Sequence, residues 1–294
     1  MAADTSQTKS GASQHLQHNA VGVGGILFFV IAAAAPLTVV VGVPPIVFGV
    51  AGNIGAAGAF LIAGIVLFLF SVGYAAMSAH ISGPGGFAVY VSKAFGPRFG
   101  SGTAFLALLS YNGFLLGLYG LFGFLAHPLF LEKLSIDLPW WLWAFGAMGL
   151  AGVLGYRDIH LSARVLGVLL IAEIVITLMM DIGIIIQGGA HGLDLEAFKP
   201  SNIFAGASGL VILFAFASFV GFEATTIYGE EAKDRLRTVP RATYLAVVVI
   251  TAFYVLTFWA MGVGYGQNAV IHIAQTHEGT FAFDLGQRYV GTWA

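Results

Sequence analysis

Two apolar segments of the chain contain residues that can interrupt a helix within them. In the first, four consecutive alanines lead into Pro36, which has no backbone N–H and clashes with the preceding helical turn. Pro36 can kink one continuous helix, or it can begin a second half-helix after a true break. A true break would leave backbone N–H groups free at the positive end of a helix dipole, where a carboxylate can bind.

The second interrupted segment places Gly221, a flexible point, two residues before the ionisable side chain of Glu223. A carboxyl group at membrane depth is costly and indicates a functional site. The alternative is that Glu223 lies near the inner membrane surface and extends to water. The two interruptions fall in the first and sixth apolar segments, and this five-helix spacing is typical of an inverted repeat with its site at the breaks.

The fifth apolar segment contains two further acidic residues. Glu173 stands twelve residues into it, about 18 Å from its start and close to the middle of a bilayer. Since a charge there costs roughly 2.5–3.5 kcal/mol, we expect Glu173 to face the protein interior and to be protonated part of the time. It could change its charge as its surroundings change, or it could form a static hydrogen bond between helices. Asp181 is expected at the outer interface, in contact with water.

Composition indicates an all-α integral membrane protein. Only 9% of the 294 residues are charged, against about a quarter in soluble proteins, and 58% are hydrophobic. Seven apolar spans are long enough, or nearly so, to cross a bilayer. They are predicted at 23–49, 56–80, 99–126, 139–156, 161–186, 207–229 and 240–265. Gly113, Gly117, Gly120 and Gly123 form a stripe on the third span that we expect to pack against a neighbouring helix.

The distribution of Lys and Arg predicts the orientation of the chain. With a cytoplasmic amino terminus, nine of these residues lie in inner segments and three in outer segments, in agreement with the positive-inside rule. We therefore expect a disordered cytoplasmic tail at 1–21, seven transmembrane helices over 22–265, and an extracellular segment at 266–294 that leads into an eighth helix beyond Ala294.

Several classes of protein are disfavoured. The net charge of −2 argues against a nucleic-acid partner, and the absence of cysteine excludes disulfides, thiolate metal sites and a cysteine nucleophile. No P-loop is present, and no set of nucleophile, base and orienting residue is apparent, so we expect neither an ATP-driven pump nor an enzyme. No cofactor or metal site is predicted.

Three stretches of the chain resemble the amino acid–polyamine–organocation (APC) permease superfamily. They are 35–38 in the first span, the loop motif at 83–97, and 219–223 followed by 229–234 and 238–243. The family often has Gly-x-Gly in the first break, where this chain has alanines. The resemblance implies a leucine-transporter-like fold with about twelve helices, of which this chain would supply the first five-helix repeat and two helices of the second, with helices 1 and 6 broken.

The resemblance also implies a permease in the cell membrane for amino acids or related amines, driven by protons, another ion or exchange. A membrane receptor or non-transporting scaffold of the same fold is the alternative function. Glu173 is the expected ion-coupling residue. The expected substrate-binding residues are Ala34, Ala35, Pro36, Leu37, Thr38, Phe216, Ser218, Phe219, Val220, Gly221, Phe222 and Glu223.

Overall fold

The structure is a computed structural model that describes residues 22–81, 86–157, 159–227, 232 and 234–292. The predicted disordered tail at 1–21 lies outside the described residues. The same holds for 83–85 and for 229–231 with Lys233, which belong to two of the loop motifs.

The described part of the chain is built from helices and turns. A π-helical segment, Pro45–Val50, follows the second helix, and a short 3-10 helix, Glu196–Phe198, precedes the eighth. The α-helices are α1 (Val23–Ala34), α2 (Pro36–Gly42), α3 (Ala56–His80), α4 (Gly86–Phe95), α5 (Pro97–Leu134), α6 (Trp140–Arg157), α7 (Ile159–Ile186), α8 (Pro200–Ile203), α9 (Ser208–Ala217), α10 (Ala224–Ile227), α11 (Arg235–Tyr265), α12 (Val270–Thr276) and α13 (Phe281–Tyr289).

Each of the seven predicted spans is helical over most of its length. Within the described ranges, five helical stretches are long and apolar enough to cross a membrane, and they fall in spans one, two, three, five and seven. The fourth span is the 18-residue helix α6, and the sixth is divided between α9 and α10. The protein is therefore an all-α, multi-pass membrane protein, while its number of crossings stays a prediction.

The core lies between α3 and α11, which pack along most of their lengths. The rings of Phe60 and Phe258 stack with centroids 4.2 Å apart. Gly64 of α3 lies so close to Thr251 of α11 that a Cβ atom would clash with the threonine side chain. This close approach of α3 and α11 is the kind that small residues permit between membrane helices.

The helices α5 and α6 form a pair at the side of this core. Gly123 of α5 approaches the backbone of Trp140 on α6, and the rings of Phe130 and Trp143 stack with centroids 4.1 Å apart. Of the glycine stripe predicted to pack, Gly123 alone makes such a close approach in the described structure. A Cβ atom on Gly113, Gly117 or Gly120 would meet nothing within 4 Å, so for these three residues the prediction of packing is wrong.

The predicted extracellular segment, 266–294, contains the two short helices α12 and α13. Helix α12 packs on the π-helical segment, where Gln275 donates a hydrogen bond of 2.9 Å to the carbonyl of Gly49. Helix α13 contacts α2, α7 and α11 through buried residues that include Phe281 and Leu285. These helices therefore join the first span to the fifth and seventh at one end of the helix bundle.

Candidate functional site: two interrupted helices

The first span is broken rather than kinked. Ala35 separates α1 from α2 with φ 45° and ψ 66°, a left-handed conformation that is unusual for a residue with a side chain. Pro36 then occupies the first position of α2, where its missing N–H costs no hydrogen bond. The Thr38 amide donates to the carbonyl of Ala35 at 3.0 Å, so it is not free, contrary to our expectation for a carboxylate site there.

The remaining amide at the start of α2 meets an acidic side chain from another helix. The backbone N–H of Leu37 lies near the carboxyl group of Glu173 on α7. The residues next to Glu173 in the sequence are apolar, and the amide near its carboxyl group comes from α2, more than a hundred residues earlier in the chain. The carboxyl group predicted to face the protein interior thus lies at the first break.

The second break spans 218–223, between the end of α9 and the start of α10. Gly221 has φ 107°, a conformation that favours glycine. The Glu223 side chain is 7% exposed, and its carboxylate accepts a hydrogen bond of 3.0 Å from the Gly221 amide. Glu223 therefore does not extend to water. Its hydrogen bond with the Gly221 amide closes the turn between α9 and α10.

A tyrosine on α3 holds the far side of this break. The Tyr74 hydroxyl donates to the carbonyl of Glu223 at 3.0 Å and shares a hydrogen bond of 2.6 Å with the hydroxyl of Thr226 on α10. The Tyr74 ring also packs near Phe222, with ring centroids 6.1 Å apart. The start of α10 is therefore held to the core helix α3 by polar and aromatic contacts.

The two breaks touch each other. A Cβ atom on Gly221 would lie 3.0 Å from the carbonyl carbon and from the Cβ of Ala33. Tyr254 of α11 donates a hydrogen bond of 3.3 Å to the carbonyl of Ala34, and its ring makes an edge contact with Phe219. Helix α11 thus supports both breaks from one side.

Two cavities adjoin the breaks on the side of α5, and Phe114 lines both. The first has a volume of about 420 Å³ and is lined by residues that include Thr38, Ser218, Gly113 and Gly117. The second, of about 510 Å³, has five predicted site residues among those that line it. They are Phe216, Phe219, Val220, Phe222 and Glu223.

The structure brings together most of the predicted site residues. Ala34, Ala35 and Pro36 form the first break, and Gly221 lies in the second. The other predicted residues line the two cavities, with Thr38 and Ser218 in the first and five residues of 216–223 in the second. Leu37 is an exception, since it lines a different cavity between α2, α7 and α13. Phe114 and Tyr254 are not among the residues predicted from the sequence, and Gly113 and Gly117 were expected to pack against a helix. No local pattern distinguishes these aromatic and glycine residues from the many others in the chain.

Asp181 is placed differently from our expectation. It is 0% exposed, and its carboxylate accepts a hydrogen bond of 2.7 Å from Thr257 of α11. The prediction of a solvated residue at the outer interface is therefore wrong. The reason is that α11 packs against this face of α7, which sequence position alone does not reveal.

The fold and the site define a multi-pass membrane protein whose two interrupted helices meet beside a cavity, with the carboxyl group of Glu223 buried at the second break. The sequence model of the amino acid permease family matches residues 25–291, so the chain belongs to this family of the APC superfamily. Membership supports a general function in amino acid transport. No solved structure matches the chain.

Proposed function

We propose that the protein is a secondary active transporter of amino acids or related amines, coupled to protons. The observation that carries the proposal is the meeting of the two breaks at Ala33 and Gly221, beside cavities large enough for a small solute. In an inverted-repeat transporter the substrate binds between two such breaks, and alternating access occurs around them.

The substrate carboxylate would bind the amide of Leu37, and its amino group would bind the carbonyl of Val220. No described residue donates a backbone hydrogen bond to the Val220 carbonyl, which lies in the turn between α9 and α10. Phe216 lines the same cavity as Val220 and would cover the apolar part of the substrate. Phe219 and Phe222 are almost fully buried and would shape the cavity wall.

Glu173 would supply the coupling. Its carboxyl group lies beside the Leu37 amide, which is the group that the substrate carboxylate needs. Two carboxylates cannot share one N–H donor without repulsion in a site of low dielectric. Protonation of Glu173 would remove this competition, so a substrate would bind with a proton, and release of the proton would favour release of the substrate.

The proposed membrane arrangement follows from the distribution of basic residues. The amino terminus and the connection between α10 and α11 would be cytoplasmic, and the connection between α7 and α9, with the helices α12 and α13, would lie outside the cell membrane. The breaks would then lie between the two membrane surfaces, as alternating access requires.

The decisive experiment is uptake of radiolabelled amino acids by the full-length protein in liposomes, with and without an inward proton gradient. We expect accumulation above the external concentration that collapses when a protonophore is added. Saturable binding without any uptake would contradict transport and would identify a receptor. Accumulation that does not depend on the proton gradient would support a transporter but would contradict proton coupling.

A further inference from the structure

Asp181 is a fully buried acidic residue that the coupling proposed for Glu173 leaves unused. Its side chain is 0% exposed, and the hydroxyl of Thr257 donates a hydrogen bond of 2.7 Å to Oδ2. Its other oxygen, Oδ1, is buried and has no hydrogen-bond partner among the described residues. A carboxylate with one donor and no counter-ion is strongly disfavoured away from water, so this position requires a bound cation or a proton.

The surroundings of Asp181 favour a proton over a metal ion. Hard metal cations need about six oxygen ligands, or a few ligands together with bound water. Among the described residues, the Asp181 carboxyl group has one hydrogen-bond partner, the hydroxyl of Thr257. The described residues also contain no group of three or more acidic, histidine or cysteine side chains able to hold a metal. A proton neutralises the carboxylate and requires no further ligand.

The titratable groups on the helices packed against α7 do not supply a counter-charge. Helices α1 and α2 contain no titratable residue, and those of α6, Tyr156 and Arg157, lie at its end farthest from Asp181 along the span. On α11, the hydroxyl of Tyr254 donates to Ala34 and that of Tyr265 to the carbonyl of Phe281. The other titratable residues of α11, at 235, 237, 241 and 244, precede Thr257 by about 20 Å or more along the helix. On α13, Asp284 pairs with His277, the Tyr289 hydroxyl donates to the carbonyl of Gly264, and Arg288 lies over the Tyr289 ring.

Asp181 and Glu173 lie on one side of α7, with a polar residue between them. They are eight residues apart, about 12 Å along the helix, and Thr177 lies halfway between them. Thr177 is buried, and its hydroxyl donates to the carbonyl of Glu173 at 2.8 Å. A cavity of about 170 Å³ between α2, α7 and α13 is lined by Thr177, by Leu37 and otherwise by apolar residues, so Thr177 supplies the polar group on its wall.

We propose that Asp181 is a second proton-binding site, in series with Glu173, through which protons reach the first break from the end of α7 nearer α13. Asp181 binds the proton first, and the proton then passes along this face of α7 to Glu173. The inference rests on the proposed proton coupling. It adds the residue that receives the proton and the direction from which the proton arrives.

The test compares Asp181→Asn with the wild-type full-length protein in liposomes. We expect Asp181→Asn to keep amino acid exchange and to lose accumulation driven by a proton gradient, because the amide cannot bind and release a proton. Asp284→Asn is the matched control, since it removes a half-buried carboxyl group that pairs with His277 on the other side of α13 from this path, and it should leave both activities unchanged. Gradient-driven accumulation in Asp181→Asn at the wild-type level would overturn the inference.

Two further measurements cover the case in which Asp181→Asn does not fold. Thr257→Val removes the hydroxyl donor to Asp181 and should shift the pH dependence of uptake toward higher pH, since the ionised form loses its donor, whereas Thr257→Ser should retain the wild-type profile. Infrared spectra of Thr257→Val should also show a displaced band of a protonated carboxyl group. Profiles and spectra identical to wild type would overturn the inference.

The result for wild-type protein separates this inference from the proposed function. If wild-type accumulation does not respond to a proton gradient, proton coupling fails and the Asp181 site fails with it. If wild-type accumulation responds, Glu173→Gln abolishes the response and Asp181→Asn does not, then only the second proton site is overturned.

Discussion

Gly221 packs directly against Ala33, and a Cβ atom on the glycine would lie 3.0 Å from the carbonyl carbon and the Cβ of the alanine. The φ of 107° at Gly221 independently disfavours any side chain there. The break in the sixth span is thus held against the break in the first, so a solute bound between them would contact both.

Replacement of Gly221 should separate the two breaks. We expect Gly221→Leu to abolish amino acid binding, and Gly221→Ala to weaken it, because a side chain meets Ala33 and the backbone strain costs about 1–3 kcal/mol. Equilibrium binding of a radiolabelled amino acid to the purified full-length protein measures the effect. Gly209→Ala is the control, since a Cβ atom there meets nothing within 4 Å. Unchanged affinity in Gly221→Leu would contradict the proposed site.

The hydrogen bonds of Tyr74 should stabilise the start of α10. A double-mutant cycle of Tyr74→Phe and Thr226→Val should give a coupling energy of about 0.5–3 kcal/mol, because the two hydroxyl groups share one hydrogen bond. The free energy of unfolding in detergent is the measurement. Tyr244→Phe is the control, since that hydroxyl has no partner among the described residues. A coupling energy near zero would show that the shared bond does not stabilise the fold.

The open space beside Gly113 should set the size of accepted substrates. A Cβ atom there meets nothing, and the residue lines the cavity next to the first break. Gly113→Leu should therefore weaken binding of amino acids with large side chains by about 1–3 kcal/mol, and binding of alanine much less. Competition binding with a series of amino acids measures this. Gly120→Leu on the same helix should have no such effect, and an equal loss for small and large substrates would contradict the prediction.

Glu173 should determine coupling rather than fold. We expect Glu173→Gln to keep solute exchange but to lose its dependence on a pH gradient, because the amide cannot change its charge while it still fits beside Leu37. Uptake and exchange by the full-length protein in liposomes should be measured in parallel. Glu132→Gln, at an exposed site, is the control. Unaltered gradient-driven uptake in Glu173→Gln would leave the static hydrogen bond as the role of this residue.

The membrane orientation can be tested directly because the chain contains no cysteine. Leu195 is 68% exposed in the connection between α7 and α9, and Asp234 is exposed at the start of α11. A membrane-impermeant thiol reagent should label Leu195→Cys from outside intact cells and Asp234→Cys only after the membrane is opened. The reverse pattern would contradict a cytoplasmic amino terminus.

The sequence by itself determined the membrane class and the positions of both breaks, for local reasons. Long apolar runs with few charges need a bilayer, whatever their packing. Pro36 lacks an N–H and favours the first position of a helix, and Gly221 permits a φ that other residues resist, so each marks an interruption without reference to distant residues. These properties belong to the residue and its immediate neighbours.

Only the tertiary structure decided which groups meet at the breaks. Glu173 lies beside the Leu37 amide, and Asp181 accepts a hydrogen bond from Thr257 instead of contacting water. Both follow because α7 packs against α2 and α11 with one face turned inward. Gly113 and Gly123 have the same residue type on the same helix, yet one lines a cavity and the other contacts α6. Such differences depend on helix rotation and on neighbours far away in the chain, and the apolar runs of this protein are too uniform to encode either in a local pattern.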